Sequence, residues 1–280
     1  MMVLQHAARR MADVLGQESA IVRAARPVYQ QALAWLSGGR GIPWTINGAA
    51  FRIDPFQRHR MGAVYDPEVA AHIARHLRPG AVCLDVGANV GVYALQFARW
   101  TGAEGHVVAF EPNPVSAAIL AEHVRLNDLD DRVTIVQSAI ADRSGIGMLH
   151  MSDADGMSRL GAPNPEIASR TEPTRVEIMT LDGYCAQHDV IPDWLLIDVE
   201  GFEFAVLAGA RQLIQDRGQA LQIVVEMHPN AWEVAGWSRS AAEALLSELQ
   251  LTATSLTGVD DPFDDYGHVL LRPRTAGTLS

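Results

Sequence analysis

From residue 81 onward, short apolar runs alternate with amphipathic segments. That alternation confines the chain to an α/β architecture, a mostly parallel sheet covered by helices on both faces. Runs at 81–86, 106–111, 132–138, 193–198 and 220–227 read as strands, with helices starting near residues 91, 114, 202 and 238. Two shorter extended pieces, 146–151 and 175–180, flank SDADGMSRLGAPNPEIASRTEPT, which is polar, rich in Gly and Pro, and too long for an ordinary connection. A loop of this kind is expected to be a lid or a substrate-recognition element. LQLTATSLTG and DDYGHVLLRPR read as two final strands before a ragged tail.

Ahead of this core, residues 4–37 show helical periodicity interrupted at Pro27, which predicts two short amphipathic helices. They are expected to cover one face of the core, to contact a second copy in a homodimer, or to lie over the substrate. WTINGAAFRIDP places Asn47-Gly48 between extended arms, a hairpin signal. DPEVAAHIARHLRPG reads as a helix with Asp66 as N-cap, Pro67 at the first helical position and Gly80 closing it. The expected organisation is an N-terminal helical extension over 1–45 and one catalytic domain over 46–280, with the hairpin at 46–60 and the core at 61–272. With 280 residues, 48% of them hydrophobic, the chain is long enough for one large core.

Charge and residue usage narrow the ligand. A formal net charge of -11 repels phosphate backbones, which disfavours nucleic acid as a partner. All 22 basic residues are Arg, so a lysine base or Schiff base is excluded. Two cysteines, Cys83 and Cys185, with no CxxC spacing, predict a reduced, cytoplasmic protein without a zinc knuckle. The arginines at 9, 10, 23 and 26 interrupt the N-terminal apolar stretches, so neither a signal peptide nor a membrane span is expected.

CLDVGANVGVYALQFARW, residues 83–100, runs from a buried strand through a glycine corner into a helix. A dinucleotide site wants G-x-G-x-x-G, so that a pyrophosphate can rest on the helix N-terminus. Here the order is Asp85, Gly87, Asn89, Gly91, with Asn at the second glycine position. An acidic residue beside this corner suits a cationic, phosphate-free nucleoside, S-adenosylmethionine, whose sulfonium and ammonium a carboxylate would face. Glu111, at the tip of the next strand, can accept hydrogen bonds from both ribose hydroxyls. Ser138, Ala139 and Asp142, at the following strand end, are expected to lie beside the adenine. DWLLIDVEGFEFAVLAGA then sets Asp198 and Glu200 at the carboxyl edge of a central strand, where ligands bind in sheets of this type.

CLDVGANVGVYALQFA, AFEPNPVSAAILAEHVRLN, TLDGY, LLIDVEGFEFAVLAGA and VVEMHP, in this order between Tyr65 and Pro229, closely resemble the FkbM-type methyltransferases. These enzymes use S-adenosylmethionine to methylate hydroxyl oxygens of natural products and sugars. The resemblance implies a seven-stranded Rossmann-like (class I) sheet, parallel except for one strand near the edge. It places Asp85, Gly87, Asn89, Gly91 and Glu111 on the cofactor and Asp198 near the methyl donor. Members often carry Lys two residues before the Asp of the I-D-V-E-G motif; this chain has Leu196 there.

Methyl transfer from a sulfonium is an in-line displacement, so positioning the acceptor can supply ~7–11 kcal/mol. A base would add ~10²–10⁴ fold for a hydroxyl acceptor. His228 is the first candidate, because its ordinary pKa is near neutrality; Asp198 is the second. Glu226 and His228 are two apart on an extended chain and so face one side. A third arrangement is a divalent cation, Mg²⁺ on an oxygen-rich set, held by Asp198, Glu200 and His228 or Glu226. Tyr65, Ser158, Arg159 and Glu200 are expected to shape the small-molecule acceptor pocket. The rival readings are a catalytically silent S-adenosylmethionine-binding protein and a methyltransferase for another acceptor class.

Overall fold

The computed structural model describes residues 16, 19–151, 158–161 and 173–274. Most of the first expected N-terminal helix and most of the 152–174 loop lie outside the described residues.

Helix α1 (Ala20–Ser37) opens on Ser19, whose hydroxyl accepts the Val22 N–H at 3.3 Å, and ends on Gly38 in the left-handed region at φ 56°. Pro27 sits inside α1 and does not divide it. Proline removes only the bond to the carbonyl four residues back, and Arg23 and Pro27 are both exposed, so water can satisfy that carbonyl. Ile21, Val28 and Trp35 of α1 are exposed, while Leu33 joins the core. Strands β1 (Ile42–Ile46) and β2 (Ala49–Ile53) form the hairpin, beginning before the expected residue 46. Its turn residues Asn47 and Gly48 have φ of 47° and 82°, the backbone a tight two-residue turn demands.

Helix α2 (Pro67–His76) starts on Pro67 as expected, but Asp66 does not cap it. Asp66 takes φ 39°, and its carboxyl group turns inward to accept the Tyr93 hydroxyl at 3.2 Å. Leu77, rather than Gly80, closes this helix. The elements that follow are β3 (Val82–Val86), α3 (Val92–Thr101), β4 (His106–Phe110), α4 (Pro114–Leu126), β5 (Val133–Val136), β6 (Ala139–Ile140), β7 (Gly145–His150), β8 (Arg159–Leu160), β9 (Thr174–Met179), α5 (Leu181–His188), β10 (Trp194–Ile197), α6 (Glu203–Ala208), α7 (Arg211–Arg217), β11 (Gln222–Met227), α8 (Arg239–Glu248), β12 (Leu251–Ser255) and β13 (Gly267–Pro273).

Seven strands form the main sheet in the order β12-β13-β11-β10-β3-β4-β5. β13 pairs antiparallel with both of its neighbours, and the other pairings are parallel, as the sequence resemblance implies. Strand alternation gives each face its own core. Cys83, Leu196, Val224 and Leu270 pack toward the hairpin, α2 and α3; Leu84, Leu195, Ile223 and Leu271 pack on the opposite face, with Leu207 of α6 and Leu245 of α8. A second, four-stranded sheet, ordered β6-β9-β7-β8, encloses a small apolar cluster of Ala139, Leu149, Leu160 and Val176. The sequence reveals its two longer strands but not their union.

The chain runs outward from β3 to β4 and β5 on one side and returns to β10 and β11 on the other. That reversal opens a crevice beyond the carboxyl ends of β3, β4 and β10. Among the described residues, no helix is long and apolar enough to cross a membrane.

Candidate active site

A cavity lined from the tips of β3, β4 and β10 and from the second sheet occupies this crevice. Its wall includes Gly87, Asn89, Glu111, Ser138, Ala139 and Asp198, six of the positions expected to hold the cofactor. Ser158 and Glu200, expected for the acceptor, line the same cavity. Asp85, Gly91, Asp142, Tyr65 and Arg159 do not line it.

The corner after β3 is built by close approach. The Gly87 and Ala88 N–H groups both donate to the Phe110 carbonyl at 3.0 Å, and the Asp198 N–H donates to the Val86 carbonyl at 2.9 Å. Gly87 has φ 90°, and a Cβ there would stand 1.8 Å from the Asp198 carbonyl oxygen. Only glycine fits. At Gly91 a Cβ would stand 2.4 Å from Leu120 Cδ1, so this glycine makes room for α4.

Glu111 follows β4 with both carboxyl oxygens engaged. Oε2 accepts the Asn89 N–H at 2.7 Å, and Oε1 accepts the Asn113 N–H at 2.8 Å. Burial raises its pKa to about 7, against the pull of those two N–H groups and Arg60. Asn89 stands at φ 50°, and its Oδ1 receives Arg60 and, at 3.3 Å, the Ser116 hydroxyl. Asn113 caps α4 through Val115 and reaches Ser158 at 3.1 Å, joining this wall to the second sheet.

Asp85 differs from expectation. It shares the face of β3 with Cys83, beneath the corner, and is 2% exposed. Burial first, then Asp198 and Glu111, lift its pKa to about 8. Its side chain lies off the cavity wall. Asp142 is exposed and ion-paired with Arg143, outside the cavity.

Behind Asp198 lies a polar chamber on the same sheet face. Asp198, Glu226 and His228 each offer a ligand atom within 4.8 Å of the others. Glu226 accepts the Tyr266 hydroxyl, and His268 Nε2 lies 3.8 Å from Glu226 and 3.7 Å from Asp66. Desolvation, then Asp198 and Asp66, push the Glu226 carboxyl up to about 11. Tyr65 stacks edge-on against Tyr93 at 5.7 Å; burial, then Asp198 and Asp66, push its hydroxyl pKa upward.

His228 is held from behind by Glu203, which the sequence reading missed. Glu203 is fully buried at the start of α6. Its carboxylate accepts His228 Nδ1 at 2.7 Å, the Gly201 N–H at 2.8 Å and Trp232 Nε1 at 2.9 Å. Burial lowers the His228 pKa, but the Glu203 bond and the surrounding carboxylates outweigh it and raise it to about 9. The near-neutral pKa expected of His228 is therefore not found. Glu200, at φ 52°, brings Oε2 within 3.8 Å of His228 Nε2. The unusual backbone at Asp66, Asn89 and Glu200 thus gathers around one site.

Arg159 is 6% exposed, and its charge pulls the Glu200 pKa down against a net upward shift from burial. Of the donors expected for a divalent cation, Asp198, Glu226 and His228 converge and Glu200 is not among them; the imidazole nitrogen in this set gives Mg²⁺ no support.

Residues 85–267 match the family model of the methyltransferase FkbM domain. The chain is 33% identical to the 31-O-demethyl-FK506 methyltransferase FkbM of Streptomyces tacrolimicus, the match covering 54% of this chain and 67% of that one. It is 29% identical to the 2-O-methyltransferase NoeI of Sinorhizobium fredii, over 49% of this chain and 60% of NoeI's length. Among solved structures, the methyltransferase FkbM of Methylobacillus flagellatus superposes with a TM-score of 0.47 at 15% identity, over 70% of this chain and 44% of the other. The matched span contains every residue of the cavity wall and the chamber residues Asp198, Glu226 and His228, and the chain belongs to the FkbM methyltransferase domain family.

Proposed function

We propose that the chain transfers the methyl group of S-adenosylmethionine to a hydroxyl oxygen of a small molecule. One observation carries this reading: among the described residues, the cavity wall holds three acidic side chains, Glu111, Asp198 and Glu200, and no Lys or Arg. A sulfonium and an ammonium are attracted by such a wall, whereas a pyrophosphate is repelled. Glu111 is the proposed partner of the ribose hydroxyls, with Ser138 and Ala139 beside the base. Gly87, Asn89 and Asp198 surround the methionine end.

The acceptor oxygen attacks the methyl carbon as the carbon–sulfur bond breaks. Sulfur leaves as a neutral thioether, and the hydroxyl proton passes to a carboxylate of the wall, Asp198 or Glu200. His228 is a positioning residue in this scheme, because it stands behind Asp198 and is held by Glu203. Hydroxyl as the acceptor class draws support from the relatives, whose names specify 2-O-methylation and a 31-O-demethyl substrate. The test is incubation with S-adenosylmethionine and a panel of sugars, macrolides and other hydroxylated compounds. Formation of S-adenosylhomocysteine together with a methyl ether is expected. Methylation confined to nitrogen, carbon or sulfur acceptors would overturn the hydroxyl assignment.

A further inference from the structure

Strand alternation puts Asp85 on β3, Asp198 just past β10, Glu226 on β11 and His268 on β13 on one face, in line with Cys83, Leu196, Val224 and Leu270. This row ends at the carboxyl edge, where His228 and Asp66 complete the chamber. Four carboxyl groups thus meet two imidazoles, and no Lys exists in the chain to balance them. Asp85 Oδ2 is buried there without a hydrogen-bond partner.

We infer that Asp198, Glu226 and His228 form a binding site for one divalent transition-metal ion of the Mn²⁺ or Fe²⁺ type. Three features support it. The three donor atoms lie within 4.8 Å of one another, no farther apart than the ~4–5 Å that opposite ligands span across one ion at bond lengths of ~2.0–2.6 Å. The His228 ring is oriented by a buried carboxylate on Nδ1, which leaves Nε2 facing Glu200 and the chamber; a carboxylate behind a ligating imidazole is a recurrent device for fixing its tautomer. One nitrogen and two carboxylate donors suit Mn²⁺ or Fe²⁺ better than Mg²⁺, which prefers an all-oxygen shell.

The inference rests on the proposed methyl transfer for its consequence. Asp198 belongs both to this chamber and to the cavity wall, so the ion would hold the acceptor oxygen at the boundary between them. With Asp198 engaged on the ion, Glu200 is the carboxylate left to take the hydroxyl proton.

The test is Mn²⁺ titration of the full chain followed by electron paramagnetic resonance, with S-adenosylmethionine binding measured separately by calorimetry. One immobilised Mn²⁺ per chain is expected, with a nitrogen coupling from an imidazole in the spin-echo modulation. Glu226→Gln and Glu203→Gln should each weaken Mn²⁺ binding, the latter by ~10–100-fold, as loss of an outer partner commonly does. Circular dichroism verifies that each variant is folded, and the nitrogen coupling tests the wild type even where a variant does not fold. No bound Mn²⁺ at millimolar concentration, binding without nitrogen coupling, or unchanged affinity in folded Glu226→Gln would overturn the inference. Absent Mn²⁺ with S-adenosylmethionine still bound removes the metal alone; absent S-adenosylmethionine binding removes the methyl-transfer reading.

Discussion

Replacing Glu203 by Gln probes the anchor behind His228 with almost no change in volume. The carboxylate accepts three hydrogen bonds, two on Oε1 from His228 and Gly201 and one on Oε2 from Trp232. A glutamine offers one oxygen and one NH₂ group. If its oxygen keeps His228 and Gly201, its NH₂ faces the Trp232 N–H, donor against donor, at a site with no solvent exposure. An unmade buried bond costs ~1–3 kcal/mol, and loss of the charge-assisted bond to His228 adds to it, for about 3 kcal/mol in total. At roughly 2–4 °C per kcal/mol for a domain of this size, Tm should fall by about 6–12 °C. Differential scanning calorimetry at pH 7 measures it, and hydrogen exchange should show lost protection in the turn over Pro229–Ala235. A Tm within about 2 °C of wild type, with protection intact there, would refute the claim that this carboxylate holds the turn and the ring.

S-adenosylmethionine affinity should rise between pH 6 and pH 8, because Glu111, raised to about 7 by burial, must be ionised to accept the ribose hydroxyls; calorimetry across that range checks it, and a flat profile argues against Glu111 as the ribose partner. Gly87→Ala forces a Cβ against the Asp198 carbonyl in a left-handed backbone and should cost about 2–4 kcal/mol in denaturant unfolding while displacing Asp198 and abolishing methyl transfer. Asp85 has a folded pKa raised to about 8, so the stability its neutral form preserves is complete below the unfolded value and is lost as pH climbs toward 8. Asp85→Asn cannot titrate, and its Tm should therefore improve relative to wild type on going from pH 5 to pH 8; a constant difference would refute that.

The sheet was legible because its strands are buried on both faces and read as continuous apolar runs, and because helix starts carry recognisable punctuation such as Asn113-Pro114. The tips of those strands were legible for the same reason, which is why Glu111 and Asp198 fall on the cavity. Asp85 follows the face of Cys83 and stays behind the cavity wall, a depth that its sequence neighbours do not reveal. Asp66 has the identity of a cap but spends its carboxyl on Tyr93 and His268, partners far away in sequence. Glu203 was open to detection, since a third carboxyl group in the apolar stretch that holds Asp198 and Glu200 cannot be buried without donors. Its donors, however, come from Gly201, His228 and Trp232, and only the fold brings the last two to it. The four-stranded second sheet escaped because β6 and β8 are each two residues long and carry no periodicity.

Calorimetric titration of S-adenosylmethionine into the wild-type chain and into Glu111→Gln tests the cofactor assignment most directly. One molecule bound per chain is expected for the wild type, with affinity at least about tenfold weaker in the variant, the equivalent of roughly 1.4 kcal/mol for a weakened ribose contact. No heat with the wild type, or equal affinity in a folded variant, would contradict the placement of the methyl donor in this crevice.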